Sequence, residues 1–248
     1  MELLTSAFNL ILYQPLFNAL ILLYQYLPGQ DFGIAVIVLT CLIRLVLYPL
    51  MALSIKSQKA LSELQPKMQE IQEKFKGDKE KQAKEMMGLY QREKINPFGG
   101  CLPLLLQLPI LIALFWVFMA FKDGLDPAQL TMLYSFVSVP KLLEKPMFLG
   151  LINLAQPNLI LAVIAGICQF FQTKMITPKT SKVKSKEGMA QFSGMMQKQM
   201  LYFFPIFTVL ILLKLPAAIA LYWIVTALFS ILQQYLIFKK TEISTKNA

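Results

Sequence analysis

The stretch FGIAVIVLTCLIRLVLYPLM, residues 32–51, decides the fold class, because it is apolar throughout except for one charge, Arg44. A hydrocarbon core of about 30 Å is crossed by about 20 apolar residues in a helix, so this stretch reads as a transmembrane span. A central arginine in such a span costs about 2.5–3.5 kcal/mol on insertion scales and about 10–17 kcal/mol in simulations of isolated helices, so it requires compensation. Snorkelling offers little, because Arg44 lies about eight residues, ~12 Å, from the cytoplasmic end and helical side chains lean toward the helix N-terminus. The guanidinium is therefore expected in a hydrated cavity lined by protein. Thr40 and Tyr48 share its helical face at i−4 and i+4.

The rest of the chain agrees with a membrane setting. Its 248 residues are 56% hydrophobic and 15% charged, and the mean hydropathy is +0.55, well away from a soluble globular composition. Residues 102–121, 148–172, 199–213 and 216–238 are further apolar runs, which predicts an all-α membrane protein with five transmembrane helices. The run 199–213 is short, ~22 Å as a helix, and implies a borrowed turn or local thinning of the bilayer.

The formal charge of +10, from 24 Lys and Arg against 14 Asp and Glu, is sorted by side. Ten of the basic residues fall in 54–100, six in 173–200 and three after Phe238. The alternate segments carry only Lys122, Lys141, Lys145 and Lys214. Basic loops stay cytoplasmic, so the N-terminus is expected outside, with the C-terminus and both basic loops inside. Residues 3–27 are also apolar, but Gln14, Asn18 and Gln25 share one face and Pro15 interrupts the run. An interfacial helix on the outer surface is therefore expected there in preference to a sixth span.

Leu61, Leu64, Met68, Ile71 and Phe75 recur at heptad-like spacing, Gly77-Asp78 offers a turn, and Ala83, Met87 and Tyr90 follow. Residues 54–94 thus read as a cytoplasmic helical hairpin, with Pro66 kinking its first arm or restarting it. The second basic loop, 173–198, is rich in Lys, Ser, Thr and Gly. Its lysines suit orientation and contact with anionic lipids, and the near absence of aromatic residues argues against specific nucleic-acid binding. A short cytoplasmic tail, 239–248, closes the chain.

No histidine is present, which removes the usual neutral-pH general base and metalloprotease motifs. Cys41, Cys101 and Cys168 are odd in number and widely spaced, as packing residues are. Neither a catalytic residue nor a cofactor or metal site is expected, and the chain does not read as an enzyme. No span contains Asp or Glu, so Arg44 has no intramembrane carboxylate partner. Gln107 brings an amide to membrane depth, and Tyr222, Thr226, Ser230 and Gln233 run down one face of the last span beside Trp223. Gln169, Ser230 and Gln233 taken singly read as interhelical hydrogen-bonding groups.

A wet, positive groove open to cytoplasm and lipid would shield the polar and acidic groups of a polypeptide while its apolar segment partitions into lipid. An acidic tail would pair transiently with Arg44. The driving energy would come from the entering helix itself, about 20 residues at roughly −0.3 to −0.6 kcal/mol each, and no GxxxxGK[ST] motif is present for nucleotide use. A small-anion transporter using Arg44 as its binding site is the alternative.

The run Ile95-Asn96-Pro97-Phe98-Gly99-Gly100-Cys101-Leu102-Pro103, with Gln107 and Pro109, resembles the NPxxGCxPxxxQxP signature of the YidC family of membrane protein insertases. The stretch from Thr40 to Pro49, the arm from Leu64 to Phe75, and Leu221-Tyr222-Trp223 with Gln233-Gln234 match in the same order. The resemblance implies the short bacterial form, without a large periplasmic domain: an insertase and chaperone of the plasma membrane with a five-helix core. Its hydrophilic groove would receive acidic substrate residues at Arg44, with Thr40, Gln107, Tyr222 and Trp223 lining it and Tyr48 and Thr226 on the same faces. Implied partners are nascent membrane proteins and the Sec translocon. Ribosome contact is expected to be weak or indirect because the tail is short.

Overall fold

The computed structural model describes residues 2–96, 99, 102–122, 125–138, 146–177 and 199–246. Cys101, most of the signature between Pro97 and Cys101, and residues 178–198 of the second basic loop lie outside that set. The chain is predominantly helical. An N-terminal run comprises α1 (Glu2–Phe8), a π-helical turn (Asn9–Tyr13) and α2 (Gln14–Tyr26). Then come α3 (Phe32–Val46), α4 (Tyr48–Glu63), α5 (Gln65–Lys74), α6 (Lys79–Arg92) and α7 (Leu102–Ala120). The short α8 (Pro127–Leu130), α9 (Leu159–Ile176), α10 (Phe204–Leu212) and α11 (Ala217–Lys246) complete the set.

Among the described residues, Thr5–Tyr26, Leu159–Ile176 and Ala217–Lys239 are helices long and apolar enough to cross a membrane, and the bent pair α3 and α4 adds a fourth only if the two are one broken span. Leu105–Ala120 and Gln199–Leu212 are apolar but shorter. The core sits around α11, whose first turns from Ala217 to Tyr222 are buried and which packs along α9 and α3. Exposed leucines and isoleucines face outward, among them Leu45 on α3, Ile160 and Ile167 on α9, and Ile206 and Leu210 on α10. That outward apolar band is what a lipid solvent calls for.

Three sequence boundaries are corrected. The helix expected over 32–51 breaks at Leu47, and α4 leaves α3 at 69°. Pro49 lacks an N–H and its ring would collide with the carbonyl four residues back, so the helix must restart. The run 148–172 is not one helix: Met147–Phe148 pairs antiparallel with Ile152–Asn153, and α9 begins only at Leu159, where the Asn158 side chain accepts from Leu161 N at 3.0 Å. Residues 239–246, expected as tail, continue α11 as helix.

The hairpin arms are α5 and α6, which pack together. Pro66 lies in the first turn of α5, where a missing N–H is harmless, and so restarts the arm. Asp78 caps α6 by accepting from Lys81 N at 3.0 Å, and this bond is the chief reason its carboxyl lies below its ordinary pKa. On α6 the seam differs from the expected one. Gln82 and Leu89 are buried and Tyr90 meets the Met68 sulfur, while Met87 is exposed. Gln82 donates to Gln72 O across the seam, and Lys67 pairs with Glu93 at 2.5 Å.

At the end of the bundle where α3 and α11 begin, Asp31 organises the chain. Its Oδ1 accepts from Ile34 N at 2.8 Å and caps α3, while Oδ2 accepts from Leu149 N. Close helix approach elsewhere depends on Gly166 of α9. A Cβ there would run into the Val209 methyl of α10 and lie 3.2 Å from Pro205 O. Gly166→Leu is expected to destabilise the protein by about 1–3 kcal/mol through overpacking, measured as a lower midpoint of thermal unfolding in detergent.

Candidate functional site

Arg44 reaches its position because α3 is held by α11 on one side, and because Pro49 turns α4 away just below it. The residue is 7% exposed and opens onto a cavity of about 350 Å³. Its walls include Gln107 of α7 with Tyr222, Trp223 and Thr226 of α11. They also include Gln58 of α4, Gln172 and Thr173 of α9, and Gln233 and Gln234 of α11, with Met51, Ile55, Ile176 and Met200 as apolar walls. No Asp or Glu occurs in α3, α7, α9, α10 or residues 217–239. Among the described residues, therefore, the guanidinium has no carboxylate within the apolar helices. Leaving a charge of this kind without a counter-charge is expensive unless water or a ligand serves it.

The polar walls are held by interhelical bonds. Gln107 Nε2 donates to the Tyr222 hydroxyl, joining α7 to α11. Trp223 Nε1 donates to Gln169 Oε1 at 3.0 Å, joining α11 to α9. Gln233 Nε2 donates to Tyr48 O at 3.0 Å, which ties α11 to the α3–α4 break. Ser230 differs from its expected interhelical role, for its hydroxyl donates to Thr226 O of its own helix. Gln234 is 1% exposed and its Oε1 is buried without a partner.

The structure thus brings Arg44, Gln107, Tyr222, Trp223 and Thr226 to one cavity. Thr40 and Tyr48 are not in its wall. Thr40 is buried and its hydroxyl donates to Val36 O at 2.6 Å, whereas Tyr48 contributes its backbone carbonyl to Gln233. Both lie on the Arg44 face by helical phase, but the break at Leu47 rotates Tyr48 out of that phase. Gln58, Gln172 and Thr173 line the cavity although the sequence reading does not single them out, and Gln234, quoted above only as part of the resemblance, lines it too. The available signal was polarity alone: Gln169, Gln172 and Thr173 recur at i, i+3 and i+4 in an otherwise apolar helix. Cys41 and Cys168 are free and half-buried. Among the described residues, no group of three His, Cys, Asp or Glu is placed to hold a metal ion.

Fold and cavity together define a predominantly helical membrane protein with an internal cationic cavity. Comparison with known proteins narrows the class. The sequence model of the 60Kd inner membrane protein family matches residues 22–245. A membrane protein insertase YidC of Fusobacterium nucleatum is 34% identical over 210 residues, which are 85% of this chain and 87% of that one. YidC of Cupriavidus necator is 36% identical over 225 residues, 91% of this chain but 35% of its own length. YidC of Geobacter sulfurreducens is 35% identical over 240 residues, 96% of this chain and 39% of its own. The chain belongs to the YidC family of membrane protein insertases. It spans most of the Fusobacterium relative and little more than a third of the other two.

Proposed function

We propose that the chain is a membrane protein insertase that moves nascent membrane proteins from the cytoplasm into the bacterial plasma membrane through the cavity around Arg44. The observation that carries this reading is an arginine 7% exposed, on a cavity walled by amides and hydroxyls, with no acid in the surrounding apolar helices. A polypeptide's polar and acidic groups are the cargo such a cavity would solvate, while its apolar helix leaves into lipid. The relatives above are named for insertion, none for anion transport.

In this reading α3, α7, α9, residues 199–212 and the membrane part of α11 are five spans around a groove open to the cytoplasm. The substrate contacts are Arg44, Gln107, Tyr222, Trp223 and Thr226, with Thr40 and Tyr48 supporting the wall from behind. The hairpin α5–α6 and the second basic loop are cytoplasmic and meet anionic headgroups. The Sec translocon is a partner and ribosome contact is weak or indirect.

The N-terminal helix lies across the outer end of the bundle. In support of that placement, Tyr13, Phe17 and Tyr24 form ring contacts with one another or with Phe32, the first residue of α3, and Phe121, the residue after α7. Gln14 and Asn18 donate to Met132 O, and Gln25 donates to Ser138 O.

Liposomes containing only this protein are expected to insert a short substrate with an acidic translocated tail, read as protection of that tail from external protease. Empty liposomes serve as the control, and equal protection in both would refute the reading. For orientation, a cysteine at Ala128 is expected to label from outside intact cells and one at Ser185 only after lysis; the reverse pattern would invert the topology.

A further inference from the structure

We propose that the tip of the small β-ribbon, Leu149-Gly150-Leu151, is a membrane wedge, immersed in the acyl chains of the leaflet at the end of the bundle where α3 and α11 begin. Leu149 is 60% and Leu151 83% exposed. Leu149 sits at φ 52°, a left-handed conformation that a leucine rarely adopts. It is held there from outside the ribbon, since Asp31 accepts from its N–H and Phe148 is pressed onto Gly33, where a Cβ would collide with the ring. The fold therefore enforces a costly turn whose effect is to present two leucines outward.

The occupant follows from the surroundings. Residues 146–173 contain no charged side chain, and hydropathy alone reads 148–172 as membrane-immersed. Exposed Leu159 and Ile160 open α9 a few residues further on, so the tip is continuous with the lipid-facing band. Backbone groups carried to membrane depth need partners, and several N–H groups of the ribbon have them. Leu151 N donates to Phe148 O, Leu154 N to Pro146 O at 2.7 Å, and Ala155 N to the Asn153 side chain at 2.9 Å. Exposed apolar patches mark contacts with protein or with membrane, and the continuity of this one with the exposed apolar face of α9 selects the membrane.

The wedge also has leverage on the cavity. The ribbon is fixed to the start of α3 through Asp31, and the carbonyls of Leu154 and Gln156 accept from Ala218 N and Ala217 N at the start of α11. Anchoring the tip in lipid sets the depth of the two helices that carry Arg44 and Tyr222.

The test is a spin label at Leu151→Cys, in the full chain with Cys41, Cys101 and Cys168 replaced by alanine, reconstituted into phosphatidylcholine–phosphatidylglycerol vesicles. Collision with oxygen is expected to exceed collision with a water-soluble nickel chelate several-fold at 151, with the reverse ratio at Ala128→Cys on α8. A water-like ratio at 151 overturns the proposal, and so does shielding from both probes, which would place the tip against protein. If the cysteine-free chain does not fold, Leu151→Trp in the native chain is read by quenching with acyl-brominated lipids. Quenching beyond that of Trp116 and Trp223 in the unsubstituted protein is expected, and no increment overturns the wedge.

Discussion

Insertion of substrates with acidic translocated tails is expected to fall about 10- to 100-fold in Arg44→Ala, the factor corresponding to the ~1.5–3 kcal/mol of a hydrogen bond to a charged group. Arg44→Lys is expected to keep most of the activity, since a point charge at the same depth still attracts a carboxylate although the bidentate fork is gone. The surrounding apolar helices contain no acid. An arginine already paired would give up its partner to bind a substrate, and removing it would orphan that partner; here the substrate's carboxylate meets a charge with no carboxylate partner in the apolar helices among the described residues. Substrates with neutral tails are expected to depend far less on residue 44. The measurement is the yield of protease-protected tail in proteoliposomes carrying each variant, compared for acidic and neutral tails. Equal yields from all three proteins on the acidic substrate would remove charge from the mechanism.

Much of this site is legible in sequence because the membrane makes polarity conspicuous. A lone arginine in residues 32–51 demands a cavity, and the helical phase of Tyr222 and Thr226, with Gln107, points to its walls. What was not legible has local causes. The break at Leu47 was available only as Pro49, and a proline in an apolar run is equally compatible with a mild kink or with a full restart. Helical phase alone sets the Tyr48 side chain beside Arg44, whereas in the structure its backbone carbonyl accepts from Gln233. The β-ribbon at 147–153 was invisible because hydropathy scores immersion and not backbone form, so an uncharged ribbon and an uncharged helix score alike. In the hairpin, periodicity chose Ala83 and Met87 where Gln82 and Leu89 are buried. Hydrophobic periodicity weights apolar residues and so passes over a buried glutamine whose amide finds a backbone carbonyl, as Gln82 finds Gln72 O.

The N-terminal helix supplies the other large effect. Phe17 is fully buried, 0% exposed, between the rings of Tyr13 and Phe121, so Phe17→Ala is expected to cost about 3–5 kcal/mol, read as a lowered unfolding midpoint in detergent. That loss alone does not separate a lid from a span, because either would bury the ring. Length does not separate them, since Thr5–Tyr26 is long and apolar enough to cross. The interfacial placement is proposed on packing grounds. A crossing helix would run beside α3 along its length, whereas the ring contacts from Tyr13 to Tyr24 converge on Phe32 and Phe121, and the amides of Gln14, Asn18 and Gln25 reach the 132–138 segment at that same end. A helix carrying three amides also suits an interface better than a hydrocarbon core, where each would need a partner at every depth. Cysteines at Ser6 and Tyr26, at opposite ends of the helix, are therefore both expected to react with an impermeant reagent from the side that labels Ala128. Labelling of Ser6 from the opposite side would make the helix a span. The Phe17→Ala loss would then report packing between transmembrane helices.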